Sequence, residues 1–416
     1  MRVKGAITPD ILFEIAGDLG PHPVDTGRDD ASIDKNPFQV PAHGRSITVN
    51  SRSAGPRSGR ILLEPVSQTT TSPAGSGAQT PHPVVRVTPE LFLPAARRLV
   101  SQTNASIDEA AQRLVESAPR HGIDLMMCFV TLEDSATTPG GPRGARPIPV
   151  VREACLSVKG SGRTAMLFIS EPLADKDEPQ ARGAERVACI HASVNHLRGF
   201  HAPDVGLVQA LPEPEELWSI EACAQAGFIC VGTLTYMRSP PIKGKEAQKL
   251  AGIADEHAPW PEGVEIVRCS DLPPSELDEI LGEALESSYA QTLDCPELSG
   301  MRRRADVIDS HRSIGRYDPS MWSVVMFYRQ PRGCILMSAC PDQRATELVY
   351  LGLAPEVRSM GLGKRLLAMG MGQARRAHPT WGVTCAVDER NVPAVKLYQR
   401  LGFEGLSRRV ALVRPI

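Results

Sequence analysis

The chain has 416 residues, 42% of them hydrophobic and 23% charged, with a formal net charge of −2. That is the composition of a soluble, globular protein of two or three domains, and so small a charge gives no reason to expect nucleic acid or an anionic membrane as partner. Ten cysteines are scattered without a C-x-x-C pair, which argues against a disulfide framework or a zinc ribbon and suits a reducing compartment.

The first twenty residues have apolar stretches broken by Pro9, Asp10 and Glu14, so a signal-peptide core is not expected. No apolar run reaches membrane-spanning length. A cytoplasmic location is the default expectation. From about 18 to 83 large apolar residues are few and Ser, Thr, Pro, Gly and Arg dominate, with 69–77 the extreme. Such a segment cannot bury enough apolar surface to offset chain entropy of roughly 1–2 kcal/mol per residue. Residues 1–83 are therefore expected to be mostly disordered, with Ile61–Leu63 a possible short strand and Ile7–Ala16 a possible helix.

From Val84 onward the chain repeats itself. Val84–Pro89 leads into a helical stretch ending at Leu99, as Glu265–Ser270 leads into a helix over 275–288. Strand-like runs follow at 125–132, 153–158 and 164–170 in the first half, and at 322–328, 333–339 and 346–353 in the second. Gly227-Phe228 before a strand at 230–236 matches Gly402-Phe403 before one at 406–413. The expected organisation is a first repeat over 84–238, a linker over 239–263 rich in proline and charge, and a second repeat over 264–416.

The second repeat carries the chemistry. A near-continuous apolar strand, Glu347–Leu353, ends at Ala354-Pro355, and Arg358-Ser359-Met360-Gly361-Leu362-Gly363-Lys364 opens a helix with Leu366, Leu367, Met371 and Ala374 on its apolar side. Small residues at a helix entrance let an anion approach N–H groups that have no intrahelical partner. The loop is not a P-loop, because Arg358 stands where its first glycine belongs and Arg365 follows Lys364. Nor is it the dinucleotide fingerprint, because Leu366 occupies the third glycine position. Taken alone it could also be a tight turn into a packed helix. Further on, Asn391 reads as an N-cap with Pro393 in the first turn, Ala394, Leu397, Tyr398 and Leu401 share a helical face, and Gly402 closes the helix before Phe403.

Together, Arg-x-x-Gly-x-Gly at 358–363 and Asn-x-x-Ala-x-x-Leu-Tyr-x-x-x-Gly-Phe at 391–403 resemble the GNAT superfamily of acetyl-CoA-dependent acyltransferases. The resemblance implies an α/β chain with a mixed sheet, built as two GNAT-like acyl-CoA N-acyltransferase domains in tandem. It implies acetyl-CoA as co-substrate, no metal, and acetyl transfer to a primary amine of a small molecule or peptide by direct attack. The competing class is a non-catalytic acyl-CoA sensor or scaffold. Residues 359–364 would hold the pyrophosphate through backbone N–H groups, with Arg358 and Lys364 adding charge. The backbone at Leu351 to Leu353 would bond pantetheine, and Asn391 would reach the cofactor side of the cleft.

By the same resemblance Tyr398 protonates the leaving thiolate, against the alternative of a core tyrosine satisfied by a backbone partner. Glu347 stands where related enzymes place a general base. Strict alternation puts it on one face with Val349, Leu351 and Leu353, and a solvated strand-start carboxylate is the alternative. The first repeat looks degenerate, since Glu185 replaces the second small residue of its loop and would repel a pyrophosphate. Glu216 and Cys223 stand where Asn391 and Tyr398 do. The acceptor is expected between Thr292–Glu297, His311, Tyr317 and Arg408–Arg414. Arg302, Arg303 and Arg304 would favour an acceptor carboxylate or else form a solvated basic turn.

Overall fold

The computed structural model describes residues 82–416 apart from 101–105, 134–148, 174–178 and 256. The expectations for residues 1–81, disordered segment, short strand and helix alike, lie outside the described residues. The first half runs Val84–Arg86 (β1), Phe92–Leu99 (α1), Ile107–Ser117 (α2), Cys128–Leu132 (β2), Val151–Lys159 (β3), Thr164–Ile169 (β4), Pro179–Phe200 (α3), Leu207–Ala210 (β5), Leu217–Gln225 (α4) and Ile229–Ser239 (β6). After Gly244–Ala254 (α5) the same order returns. It comprises Val264–Arg268 (β7), Leu277–Tyr289 (α6), Arg304–Ser313 (α7), Trp322–Phe327 (β8), Gln330–Cys340 (β9), Ala345–Leu353 (β10), Leu362–Ala377 (α8), Gly382–Asp388 (β11), Val392–Arg400 (α9) and Glu404–Pro415 (β12). The chain is thus an α/β protein of two like halves in tandem.

All twelve of these strands join one mixed sheet, ordered β1-β2-β3-β4-β5-β12-β6-β11-β10-β9-β8-β7. In each half the fourth and fifth strands are parallel and touch over three residue pairs. The closing strands are exchanged. β6 of the first half lies against β11 of the second, β12 lies against β5 of the first, and the two pair antiparallel at the centre. Their side chains follow, since Val410 and Leu412 of β12 sit in the first core and Met237 of β6 in the second. The hydrophobic cores therefore do not divide at a point in the sequence.

Residues 239–263, expected as a linker, do more than connect. Helix α5 packs Leu250 and Ala254 into the core beside α8. Arg365, in the first turn of α8, donates to the carbonyls of Ala254 (3.1 Å), Asp255 (2.7 Å) and Pro259 (3.0 Å). Its guanidinium lies 3.7 Å from the centre of the Trp260 ring, a stacked cation–π contact. The helix entrance that follows the glycine loop is thereby held from outside.

The first half fills its corresponding region with charge. Glu153 on β3 is fully buried, forms an ion pair with Arg186 (2.9 Å) and accepts from Ser170 Oγ (2.7 Å), with Arg98 3.7 Å away. Arg186 Nε also donates to the Ser170 carbonyl and Arg98 Nη2 to that of Glu171, pinning the chain as it leaves β4. Burial raises the Glu153 carboxyl, offset first by Arg186. Glu185 takes a different place from the one expected. Helix α3 begins at Pro179, so Glu185 lies in its second turn rather than at its entrance. It is buried and accepts from Arg152 (3.0 Å) and Thr131 Oγ1 (2.8 Å).

Replacing Glu153 by Gln removes the counter-charge of two buried guanidinium groups, which costs about 3–5 kcal/mol when one partner of a buried pair is lost. Urea denaturation should register a loss of that order. A change within about 0.5 kcal/mol, typical of an exposed site, would show that the cluster is solvated.

Candidate functional site

The site begins with a break in the sheet. β10 and β11 pair only at Ala345/Gly382, Thr346/Val383 and Glu347/Thr384. Beyond Glu347, β10 keeps β9 alone as partner, while β11 continues along β6. The register of β10 on β9 shifts between Leu348 and Tyr350, leaving Val349 as an extra residue, a β-bulge that bends the strand and increases its twist. The fourth strand of the first half has no such shift against β3. Between the diverging strands lies an open cleft of about 220 Å³, walled by residues 348–353 of β10, by Ala386, Asn391, Pro393 and Tyr398, and by Ser288 and 291–294.

The bulge also resets which way side chains face. Leu348, Leu351 and Leu353 pack into the α8 core, whereas the neighbours Val349 and Tyr350 both pack toward α6 and α7. Glu347, adjacent to Leu348, therefore lies on the face opposite Leu351 and Leu353, contrary to the strict alternation expected from the sequence. It is half-buried, 3.9 Å from Cys340 Sγ, and outside the cleft wall.

At the cleft's end Ser359 (φ 64°) and Gly361 (φ 77°) both adopt left-handed backbone, and Gly361 is the N-cap of α8. Among the described residues, the N–H groups of 359–364 have no backbone partner; the next, that of Arg365, donates to Gly361 O. A side chain at Gly361 would meet open space, so only its φ demands glycine. At Gly363 a Cβ would make ordinary contacts of 3.7 and 3.9 Å to Leu397 and Leu353. Neither packing nor φ requires that second glycine, which is what a surface shaped for a ligand close to the backbone looks like. Lys364 is exposed on the first turn, and Leu362 is buried in the core. Arg358 is used differently from expectation. Nε donates to Leu353 O (2.9 Å), Nη1 to Gln291 O (3.1 Å), and Nη2 to Ser288 O (3.2 Å) and Ala290 O (2.6 Å). Its charge closes the C-terminal end of α6.

Asn391 caps α9, accepting from the Ala394 N–H (3.3 Å), and lines the cleft as well. Tyr398 is 6% exposed, its ring packed in the α8 core and 5.6 Å from that of Phe403. Burial, foremost, and the nearby Cys385 and Asp294 raise the phenol, which stays protonated at neutral pH. Its hydroxyl has no hydrogen-bond partner among the described residues, so the satisfied core tyrosine considered as the alternative is not what the fold contains.

Tyr350 and Ser288 line the cleft without having been marked by the sequence, beside Asp294 of the expected acceptor segment. Tyr350 shares a 2.7 Å hydrogen bond with Ser288 Oγ, and its ring is 5.8 Å from Tyr289 and 5.6 Å from His311. Burial, then Arg302, pushes the His311 imidazole down to about 4, so this wall is neutral at pH 7. Asp294 accepts from the Asp388 N–H (2.8 Å), and burial raises its carboxyl. The three arginines at 302–304 are engaged internally: Arg302 with the Gly162 and Asp306 carbonyls, Arg303 with the Asp306 carboxylate and Arg304 with Glu286. They do not present a free basic patch to the cleft.

Residues 287–403 match the Acetyltransferase (GNAT) family. Over 67 residues the chain is 42% identical to mycothiol acetyltransferases of Salinispora arenicola (strain CNS-205) and Salinispora tropica (strain ATCC BAA-916). That stretch is 16% of this chain and spans only 22% of the length of either relative. Similar solved structures include a GCN5-related N-acetyltransferase from Sphaerobacter thermophilus, at TM-score 0.48 and 15% identity, covering 80% of this chain and 95% of that one. Another is a tandem GNAT protein from the clavulanic acid biosynthesis pathway, at TM-score 0.40 and 16% identity, covering 69% and 82%. The match to the Acetyltransferase (GNAT) family is thus carried by residues 287–403, the stretch that holds the cleft.

Proposed function

We propose that the second half, bounded at about residue 264, transfers acetyl from acetyl-CoA to a primary amine of a small molecule or peptide by direct attack. The observation that carries this is a buried, protonated phenol, Tyr398, in a cleft that ends at six consecutive backbone N–H groups, phenol and amides alike without hydrogen-bond partners among the described residues. The residues fit the co-substrate: the amides of 359–364 and Lys364 would hold its pyrophosphate, Asn391 and the backbone of Leu351 and Leu353 its pantetheine arm. Acetyl-CoA supplies an activated acetyl thioester. The chain's own residues do the rest. The bulge keeps the β10 edge free to accept an extended arm as a further strand would be accepted, and Tyr398 holds a proton for the departing sulfur. Ten free cysteines, nine of them with no more than partial exposure and a raised thiol pKa, suit the reducing, cytoplasmic setting we assign to it.

Titration calorimetry should find one acetyl-CoA site per chain, lost when Gly361→Glu and Gly363→Glu are combined. Two sites of similar affinity would contradict the assignment of the site to the second half alone.

Tyr398→Phe keeps the ring and removes the donor. Acetyl-CoA affinity should hold while kcat falls by about 10²–10⁴, or roughly 3–5 kcal/mol of barrier. Full kcat in the variant, with chemistry rate-limiting, would leave Tyr398 a core residue only. Binding without thiol release across a panel of amines, amino acids and peptides would mark the chain as an acyl-CoA sensor.

A further inference from the structure

Asp294 belongs to the segment between α6 and α7, and everything around it fixes where its carboxylate lies. On one side Arg358 grips the carbonyls of Ser288, Ala290 and Gln291. On the other, the Cys295 N–H donates to Asp388 Oδ2 (3.0 Å), and Arg390 joins Asp388 to Glu297 (2.7 Å). Gln291 (φ 53°) and Cys295 (φ 44°) bracket Asp294 with left-handed backbone at residues other than glycine. Such conformations are unfavourable and persist only where the surroundings impose them, which is common around functional groups.

The result is a carboxylate with one oxygen used and one available. Oδ1 accepts from the Asp388 N–H, 2.8 Å away, and among the described residues Oδ2 has no hydrogen-bond or ion-pair partner. Asp294 lines the same cleft as Tyr398 and Tyr350, and its charge helps hold both phenols protonated. Glu347 shares the α6 and α7 face with Val349 and Tyr350 but, unlike them, lies outside that wall.

We propose that Asp294, rather than Glu347, takes the proton from the acceptor amine. This rests on the acyl-transfer reading above and names the base for it. Asp294 removes one proton from the acceptor's ammonium nitrogen. As that nitrogen bonds to the acetyl carbonyl carbon and the carbon–sulfur bond breaks, Tyr398 gives its proton to the sulfur. The nitrogen's second departing proton restores the phenol, and Asp294 releases its own to solvent. The groups that face Asp294 are Asp388 and Cys385 on β11, Tyr350 on β10, Tyr398 on α9, Arg390 at the entrance of α9 and Cys295 beside it in sequence. Burial first, and the Asp388 charge, favour the neutral carboxyl, while the Asp388 N–H and Arg390 favour the ionised form.

The test compares the parent, Asp294→Asn and Glu347→Gln by the pH profile of kcat/KM, acetyl-CoA calorimetry and thermal midpoint. Asn keeps the Oδ1 acceptor for the Asp388 N–H. Its kcat/KM at pH 7 should fall about 10²–10⁴-fold and its acidic limb should vanish, with acetyl-CoA affinity unchanged. Because the folded-state carboxyl is raised, the ionised group costs stability at neutral pH and not below its unfolded pKa of about 4. The Asn midpoint should therefore match or exceed the parent's at pH 7.5 and equal it near pH 3.5. Glu347→Gln should keep the acidic limb whatever it does to the rate. Loss of the limb in Glu347→Gln and its survival in Asp294→Asn would overturn the proposal. So would a fall in acetyl-CoA affinity or midpoint in Asp294→Asn, which would make the residue a builder of the loop. A parent that binds no acetyl-CoA or releases no thiol fails at the earlier step, overturning the acyl-transfer reading and this proposal with it.

Discussion

The structure depends on one extra residue in a strand. Val349 has no counterpart in the register of β10 on β9, and from that point β10 parts from β11. Opening a sheet in its interior is unfavourable, since a backbone polar group that leaves its partner and finds none costs about 1–3 kcal/mol. The fold tolerates the opening because both strands are anchored on their outer sides, β10 by β9 and β11 by β6. The anchor on β11 comes from the first half of the chain. Strand exchange is thus part of how the second half keeps its cleft, since β6 of the first half supports β11 on its outer side.

The halves share a topology and differ in what occupies the end of the fourth strand. After β10 the chain turns through Ser359 and Gly361 and leaves six amides without a backbone partner among the described residues. After β4 the chain is tied down by Arg98 and Arg186, whose charges converge on the buried Glu153. The same position keeps free backbone donors among the described residues of one half and is filled by the protein's own ions in the other. Cys223 and Glu216 fit that view, since α4 keeps the cap position and the packing of α9 but offers neither the amide of Asn391 nor the phenol of Tyr398.

Much of this was legible in the residues. The repeat could be read because strands of apolar residues recur in the same order with the same Gly-Phe ending, and the observed strands fall within a few residues of the expected ones. Asn391, Pro393, Tyr398 and Gly402 announced α9 through capping and helical spacing, which are local properties. What could not be read depends on contacts distant in sequence. The setting of the Asp294 carboxylate, within the segment expected to meet the acceptor, rests on the Asp388 N–H, 94 residues away, a contact no local pattern marks. Alternation placed Glu347 beside Leu351 and Leu353 because a bulge leaves no signature in composition. Arg358 looked like a phosphate ligand, yet its donors go to carbonyls at the end of a helix 68 to 70 residues earlier. Residues 239–263 looked like a tether because the partner of α5, helix α8, lies more than 100 residues further on.

Amide hydrogen exchange with and without coenzyme A tests the central claim, that the opening below Val349 is the acyl-CoA site. Backbone amides that no protein group engages should exchange rapidly in the free chain and slow on binding, so protection should appear across 359–364 and at those amides within 351–353 that turn away from β9. The stretch 170–173 after β4, already held by Arg98 and Arg186, should be unaffected. Protection that appears after β4 instead, or that leaves 359–364 as exposed as before, would contradict the account.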